Sequence, residues 1–452
     1  MINLRRLTVV WLLAMSWPAM ATDLLEVYQI AVESDPELRS AEYAYRSAQQ
    51  ALPQARSLNL PQVSASGDFT RSRQEAGGEV DTSEFQTLSL NVRQTLFDLE
   101  NRARIRQADA SIAQAEANFL AAQQGLIFRV ADAYFGVLAA QADLAFARQE
   151  KLANQEQFKQ AERRFEVGLI AITDVREAQA SFDLARAREI VAENQVANAR
   201  EALARITGTF LRNLAMPGDD LPLTPPEPQD IETWVQTARD QNLALIAALY
   251  AAEAATEDVA VQRADRYPTV SLVGQHTYTR GNRVFTGFSG GGFGGGGVDE
   301  VHDTQVILQF NWDLYTGGRV SSEIRQSVEE LERAREDLIF QERETIQQTR
   351  DAYRGVISGI SQVRSLEQAL VSNETALEAT EAGFEVGTRT TVDVLIAQRN
   401  FFEAERDLRQ ARYDYILNLL RLKQAAGTLS VVDLQAVNRL LGPIPENMRL
   451  DS

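Results

Sequence analysis

Cysteine is absent from the sequence, and histidine occurs only at positions 276 and 302. No disulfide framework can form, a pattern that fits an exported chain without demanding one. Two histidines lacking a third ligand do not make a metal centre. No nucleophile–base pairing or metal-ligand cluster occurs elsewhere, so neither a cofactor nor an enzymatic activity is expected. Bases are outnumbered, with Lys+Arg at 45 against Asp+Glu at 63 and a formal net charge of -18. That balance argues against a nucleic-acid partner. Long apolar runs are missing as well, beyond a short one at the N-terminus. A membrane could then be crossed only by strands closed into a barrel, because only helices and closed barrels satisfy every backbone group in lipid.

The N-terminus has the layout of a secretory leader. Arg5 and Arg6 precede an apolar stretch from Leu7 to Trp17, and Ala19-Met20-Ala21 fits a small-residue cleavage site before Thr22. The apolar stretch is about half of the roughly 20 residues that a spanning helix needs.

The remainder is a tandem duplication. Phe165-Glu166-Val167-Gly168 returns as Phe384-Glu385-Val386-Gly387, followed by Asp174-Val175 and Asp393-Val394, Ala178-Gln179 and Ala397-Gln398, and Phe182 and Phe401. The offset is constant (384 - 165 = 219), and nine of the eighteen positions match, where composition alone gives roughly one. The same offset relates Asp132-Ala133-Tyr134 to Asp351-Ala352-Tyr353, and Gly208 to Gly427. Upstream, Pro61 and Pro268 correspond at a shorter offset (268 - 61 = 207). Between the copies stand Pro217, Pro222, Pro225, Pro226 and Pro228, which cannot continue a helix and mark a linker.

Each copy reads helix, strand, strand, long helix, turn, helix. Asn101 to Phe165 contains no proline and is rich in helix formers. Ile105, Ile112, Phe119 and Leu126 recur every seven residues, and Val130, Val137 and Leu144 continue in a shifted register. Such a repeat belongs to coiled-coil packing, and about 65 helical residues extend about 100 Å. Val320 to Phe384 is the matching rod. Alternation in Val63, Ala65, Gly67 and Phe69 and in Leu88, Leu90 and Val92 predicts one strand pair. Val270, Leu272 and Gly274 with Val306, Leu308 and Phe310 predict another. Each run is near the 9–11 residues of a membrane strand. Phe69, Phe85, Phe97, Tyr267, Tyr278, Trp312 and Tyr315 lie near strand ends, where barrels place aromatic girdles.

The expected division is a leader over 1–21 and a first repeat over 22–216, with a β-hairpin at 62–94 and a coiled-coil hairpin at 101–208. A proline-rich linker follows over 217–230, then a second repeat over 231–428, with a β-hairpin at 268–312 and a coiled-coil hairpin at 319–427, and a C-terminal segment over 429–452. The fold class is mixed α and β, mostly α. Four strands cannot close a barrel, since single-chain barrels begin at about eight; strands in a membrane therefore require several chains. Without a membrane, the same pairs are soluble hairpins and the chain a periplasmic coiled-coil scaffold or adaptor. An adaptor usually carries one helical hairpin between β-rich halves, whereas two hairpin units repeat here.

From about Asp23 to Leu440 the chain resembles the TolC-type outer-membrane efflux channels. The resemblance is carried by Phe165-Glu-Val-Gly-Leu-Ile-Ala-Ile-Thr-Asp-Val175 and Val386-Gly-Thr-Arg-Thr-Thr-Val-Asp-Val-Leu395, with support from 133–138 and 411–420. It implies a homotrimer in the outer membrane whose twelve strands close one barrel over an α-helical tunnel in the periplasm. It also implies two partners, an inner-membrane pump and a periplasmic adaptor. Drugs, other small molecules or proteins would be exported passively.

Gating then falls to the tips of the coiled-coil hairpins. Gly168 and Gly387 end the rods, as glycine at a helix C-terminus does. By resemblance, Val167-Gly168-Leu169 and Val386-Gly387-Thr388 are the adaptor-binding tips. Asp174 and Asp393 open the returning helices, where an acid favours the dipole by about 0.3–1 kcal/mol. The resemblance adds that Asp393 lines a constriction of three carboxylates. It further adds that Thr173 and Asp174 meet Arg389 of a neighbouring protomer, and that Gln157 and Glu381 form a second link between protomers. Two residues depart from the best-known family member. Phe384 replaces a tyrosine and loses its hydroxyl bond, and Ile396 replaces a second carboxylate. A single acidic ring above an apolar one is expected, with a looser closed state. The stretch 287–297, with eight glycines, reads as a flexible extracellular loop.

Overall fold

The computed structural model describes residues 22–76, 79–211, 213–218, 221–286 and 298–442. The expected leader, the glycine-rich stretch 287–297 and the tail beyond 442 lie outside the described residues. The chain begins α1 (Leu24–Ser34), α2 (Pro36–Ala48), α3 (Ala51–Ser57), β1 (Gln62–Ala76), β2 (Glu79–Phe97), α4 (Leu99–Glu166), α5 (Ile172–Thr207) and β3 (Met216–Pro217). It continues α6 (Ile231–Gln241), α7 (Leu243–Ala264), β4 (Thr269–Thr286), β5 (Val298–Asn311), α8 (Arg319–Glu385), α9 (Thr391–Ala425), α10 (Val431–Asn438) and β6 (Leu441–Gly442). Two compact units result. Ser40–Ala121 and Leu243–Thr345 form one; the described residues up to Arg39, Ala122–Asn242 and those from Ile346 onward form the other.

The first of these units contains an antiparallel sheet in the order β1-β2-β4-β5. Its registers bring the alternating apolar residues opposite one another: Val63 faces Val92 and Ala65 faces Leu90, while Val270, Leu272 and Gly274 face Phe310, Leu308 and Val306. Because successive side chains point to opposite faces, these residues share one apolar face. Val63, Leu88, Leu90, Val306, Leu308 and Phe310 are all exposed on it. The other face carries Ser66, Ser89, Thr277 and Asp303 in one row, and Arg93 donates to Gln309 Oε1 at 3.2 Å across it.

The strands are longer than expected, at 15, 19, 18 and 14 residues. Backbone pairing needs no apolar side chains, and the ladders continue past the apolar rows into Arg71–Glu84 and Arg280–Glu300 ion pairs at 3.3 and 3.7 Å. Pro61 and Pro268 stand just before β1 and β4, where proline excludes helix and biases its predecessor to extended geometry. Around the sheet, Ala103, Ala108, Ala110 and Ala117 of α4 are buried while Ile105 and Ile112 are half-buried. Phe119 stacks on Tyr45 at 5.8 Å.

In the other unit, the heptad residues Leu126, Val130, Val137 and Leu144 are all buried. The most apolar stretch of α4 lies mostly inside the protein, so packing accounts for its hydropathy. Gly355 and Gly359 let α9 approach α8: a Cβ at Gly355 would lie 3.3 Å from Asn418 Cγ, and one at Gly359 3.7 Å from Tyr415 Cα. Arg129 bridges the buried Asp35 at 2.6 Å and Glu37 at 2.8 Å.

The repeat-related Tyr134 and Tyr353 each hold a strap of extended chain. Tyr134 donates to Ala215 O at 2.6 Å and Tyr353 to Gln229 O at 2.7 Å. Burial pushes the Tyr134 phenol far above its ordinary pKa, which keeps it a donor. The proline-rich segment lies along α8 and α9, where Leu223 packs on Val363, Leu408 and Ala411. The buried Tyr415 hydroxyl accepts from Thr224 N at 3.1 Å and donates to Thr224 O at 2.9 Å. Tyr415→Phe removes both bonds to the exposed Thr224 and is expected to cost about 1–2 kcal/mol. Thermal unfolding should shift downward, with faster protease cleavage between residues 221 and 229; an unchanged cleavage rate would refute the strap.

Candidate functional site

The tips of the α4/α5 and α8/α9 hairpins gather almost every residue singled out above. Gly168 and Gly387 have φ of 77° and 79°, a left-handed conformation that glycine adopts without penalty. The last turn of α4 closes through Gly168 N to Phe165 O at 2.9 Å and Leu169 N to Arg164 O at 2.9 Å. At the end of α8, Gly387 N donates to Phe384 O at 3.1 Å and Thr388 N to Gly383 O at 2.8 Å. The Thr388 hydroxyl adds a second bond to Gly383 O at 3.0 Å. Ala161, Val175 and Ala178 are buried just behind the first turn, with Phe158 and Ile170 against them.

The returning helices start on their acids. Ala171 N donates to Asp174 Oδ2 at 3.3 Å. Thr390 and Asp393 form a reciprocal capping box: Asp393 N donates to Thr390 Oγ1 at 3.2 Å, while Thr390 N and Oγ1 both donate to Asp393 Oδ2 at 2.9 Å. The bond from the Thr390 backbone holds the Asp393 pKa below its ordinary value, with further help from the Thr390 hydroxyl and the charge of Arg389. A depressed carboxylate pKa means a capping contribution present at neutral pH and lost only as pH falls through that lowered value.

Arg389 is exposed, with its stem folded over Gly383; a Cβ at Gly383 would lie 2.8 Å from Arg389 Cγ. The Phe384 ring carries the Arg164 guanidinium, whose Cζ is 4.1 Å from the ring centroid. Glu381 accepts from Gln398 Nε2 at 3.3 Å. Gln157 Oε1 is buried without a hydrogen-bond partner. Ile396 is exposed on a groove of about 270 Å³ shared with Leu184, Leu395 and Arg399. Val167, Leu169 and Val386 are exposed at 69%, 74% and 76%, and Thr173 and Thr388 are exposed beside them. Within one chain, no bond of the described residues joins Arg389 to Thr173 or Asp174, or Gln157 to Glu381.

Three of these residues escaped the sequence reading. Thr390 was legible, since Thr-x-x-Asp ahead of an apolar run is a helix-start signal. Arg164 and Gly383 occupy the same place in the two repeats (164 + 219 = 383), directly before the shared Phe-Glu-Val-Gly, and the mismatch itself was the available signal. Away from the tips, His276 and His302 share the apolar face of the sheet with ring centroids 5.8 Å apart, and His276 Nδ1 is 2.9 Å from Thr304 Oγ1. Among the described residues no group of three or more potential ligands could hold a metal.

An exposed apolar face on an incomplete sheet and paired helical hairpins ending in capped turns are features expected of an outer-membrane channel subunit. The chain belongs to the outer membrane efflux protein family, whose pattern matches residues 27–209 and again 234–428, once per repeat. It is 37% identical to the outer membrane protein TolC of Vibrio cholerae over 418 residues, covering 92% of this chain and 93% of that protein. It is 30% identical to the alkaline protease secretion protein AprF of Pseudomonas aeruginosa, covering 97% and 92% of the two chains. The fold matches the outer membrane channel CmeC of Campylobacter jejuni with a TM-score of 0.76 at 16% identity, covering 98% of each chain. The family consists of channel proteins rather than enzymes, and its members reside in the outer membrane. The soluble scaffold reading is set aside on this ground.

Proposed function

We propose that three copies of this chain close one twelve-stranded barrel and export drugs, other small molecules or proteins, gated at the hairpin tips. The observation that carries the proposal is the sheet: β1 and β5 each keep one edge without a strand partner among the described residues. Unpaired backbone groups are not tolerated in lipid, and joining β5 of one copy to β1 of the next satisfies them. Relatedness to a protease secretion protein and to an efflux family supports either class of cargo. The periplasmic adaptor and inner-membrane pump of a tripartite exporter are the proposed partners, with the exposed Val167, Gly168, Leu169, Val386, Gly387 and Thr388 as the adaptor contact.

Closure is assigned to contacts between protomers. Arg389 would meet Thr173 and Asp174 of the neighbour, and the Gln157 side chain would meet the neighbouring Glu381. Three copies of Asp393 would form an acidic ring favouring cations, with Ile396 as an apolar ring one turn away. Exposed ion pairs contribute about 0.2–1 kcal/mol each, so three copies of two links total a few kcal/mol, which adaptor docking can outweigh. Arg389→Ser is expected to raise the conductance of purified trimers in planar bilayers several-fold. Unchanged conductance would refute the gate. A monomeric, non-conducting protein that high-salt washing strips from outer membranes would refute the channel.

A further inference from the structure

We infer that the Arg164 guanidinium stacked on the Phe384 ring is a second, intraprotomer element of the gate, bolting the tip of the α4/α5 hairpin to the tip of the α8/α9 hairpin. This rests on the gating reading above and adds to it a contact within one chain. The repeats differ at this point in one informative position. The first has Arg164 before its Phe-Glu-Val-Gly, and the second has Gly383. Arg164 occupies the last turn of α4 and Phe384 the last turn of α8, and Cζ lies 4.1 Å from the ring centroid, inside the roughly 6 Å limit of a cation–π contact. Among the described residues Arg164 makes no ion pair. Its backbone oxygen is already engaged by Leu169 N. The Phe384 ring lies directly beneath the guanidinium.

Phe384 thus compensates for the hydroxyl it lacks. The sequence leads to a looser closed state, and the Arg164 contact supplies a restraint that acts against it. Widening an aperture at the tips requires hairpins to move apart, and a contact present in one state and absent in the other biases the equilibrium by its full value. A positive charge in the last turn of α4 also complements the helix dipole, but that benefit needs no aromatic partner.

The test is single-channel recording of purified full-length trimers in planar bilayers. Arg164→Gln and Phe384→Leu should each raise the open fraction, by about two- to fivefold per contact and roughly ten- to a hundredfold when three copies open together. The double variant should open no further than either single one. Arg164→Lys and Phe384→Trp keep a cation and a ring and should remain near the parent. The thermal midpoint of the trimer should move little in all of them. Opening by Arg164→Gln but not by Phe384→Leu, or additive opening in the double variant, would overturn the stacked pair. No opening in either, while Arg389→Ser opens the channel, would remove Arg164 from the gate and leave the gate standing. No opening in any of the three would sink the gate and this contact together.

Discussion

Leu308→Arg is expected to abolish assembly in the outer membrane, whereas Gln309→Arg, one residue along β5, is expected to assemble. Leu308 is 66% exposed between Val306 and Phe310 on the apolar face. Gln309 points to the other face, where its side chain accepts from Arg93. An arginine facing lipid costs up to about 2–4 kcal/mol, less toward the interfaces. Three symmetric copies bring the upper bound to roughly 6–12 kcal/mol, comparable with the whole stability of an ordinary domain. At position 309 the same charge enters a polar row next to Arg93, where it meets water and should shift selectivity toward anions. Fractionation after high-salt washing, followed by native electrophoresis for the trimer, reads the first effect. Reversal potentials in a salt gradient read the second. Equal assembly of both variants would mean that the lipid-facing side of the sheet is misassigned.

That pair of variants also marks how far the residues alone could lead. A pleat has a fixed period of two, so alternation marked Val270, Leu272 and Gly274 and Val306, Leu308 and Phe310 as two runs of one strand pair, while the register that sets Val270 against Phe310 came only from the structure. The strand ends were not legible, because ladders held by backbone bonds extend beyond the apolar side chains that announce them. Nor was the β2–β4 pairing, since no local pattern says which edge of one repeat meets which edge of the other. The glycines marked both tip turns, because a helix that reverses direction needs a left-handed residue. The mismatch of Arg164 with Gly383 between the repeats marked Arg164 but not its partner Phe384. The stack between them depends on where two hairpins more than two hundred residues apart place their last turns, a tertiary fact that heptads and caps do not encode.

The second large effect separates two glycines that the duplication makes look equivalent. Gly208 and Gly427 follow the returning helices of the two repeats with φ of 70° and 74°. Alanine in that conformation costs about 1–2 kcal/mol, and for Gly208 little else is added, since the nearest atom to a new Cβ is Ser34 Cβ at an ordinary 3.7 Å. At Gly427 the new Cβ would collide with the carbonyl of Gln241 and lie 2.9 Å from Asn242 N. Those are backbone atoms at the α6–α7 junction and cannot rotate away. Asn242 N is bonded to Ala238 O at 2.9 Å, Asn242 Nδ2 to Ala425 O at 2.9 Å, and Gln124 Nε2 to Gly427 O at 2.8 Å. Relieving the collision means breaking several of these bonds in a buried place, at about 1–3 kcal/mol for each group left unsatisfied. Gly427→Ala should therefore lose well over twice the stability lost by Gly208→Ala and yield no trimer. Gly208→Ala should still assemble, with a modestly lower thermal midpoint. Similar midpoints for the two variants would show that the α6–α7 junction yields more readily than its hydrogen bonds imply, and that the two repeats are equivalent here after all.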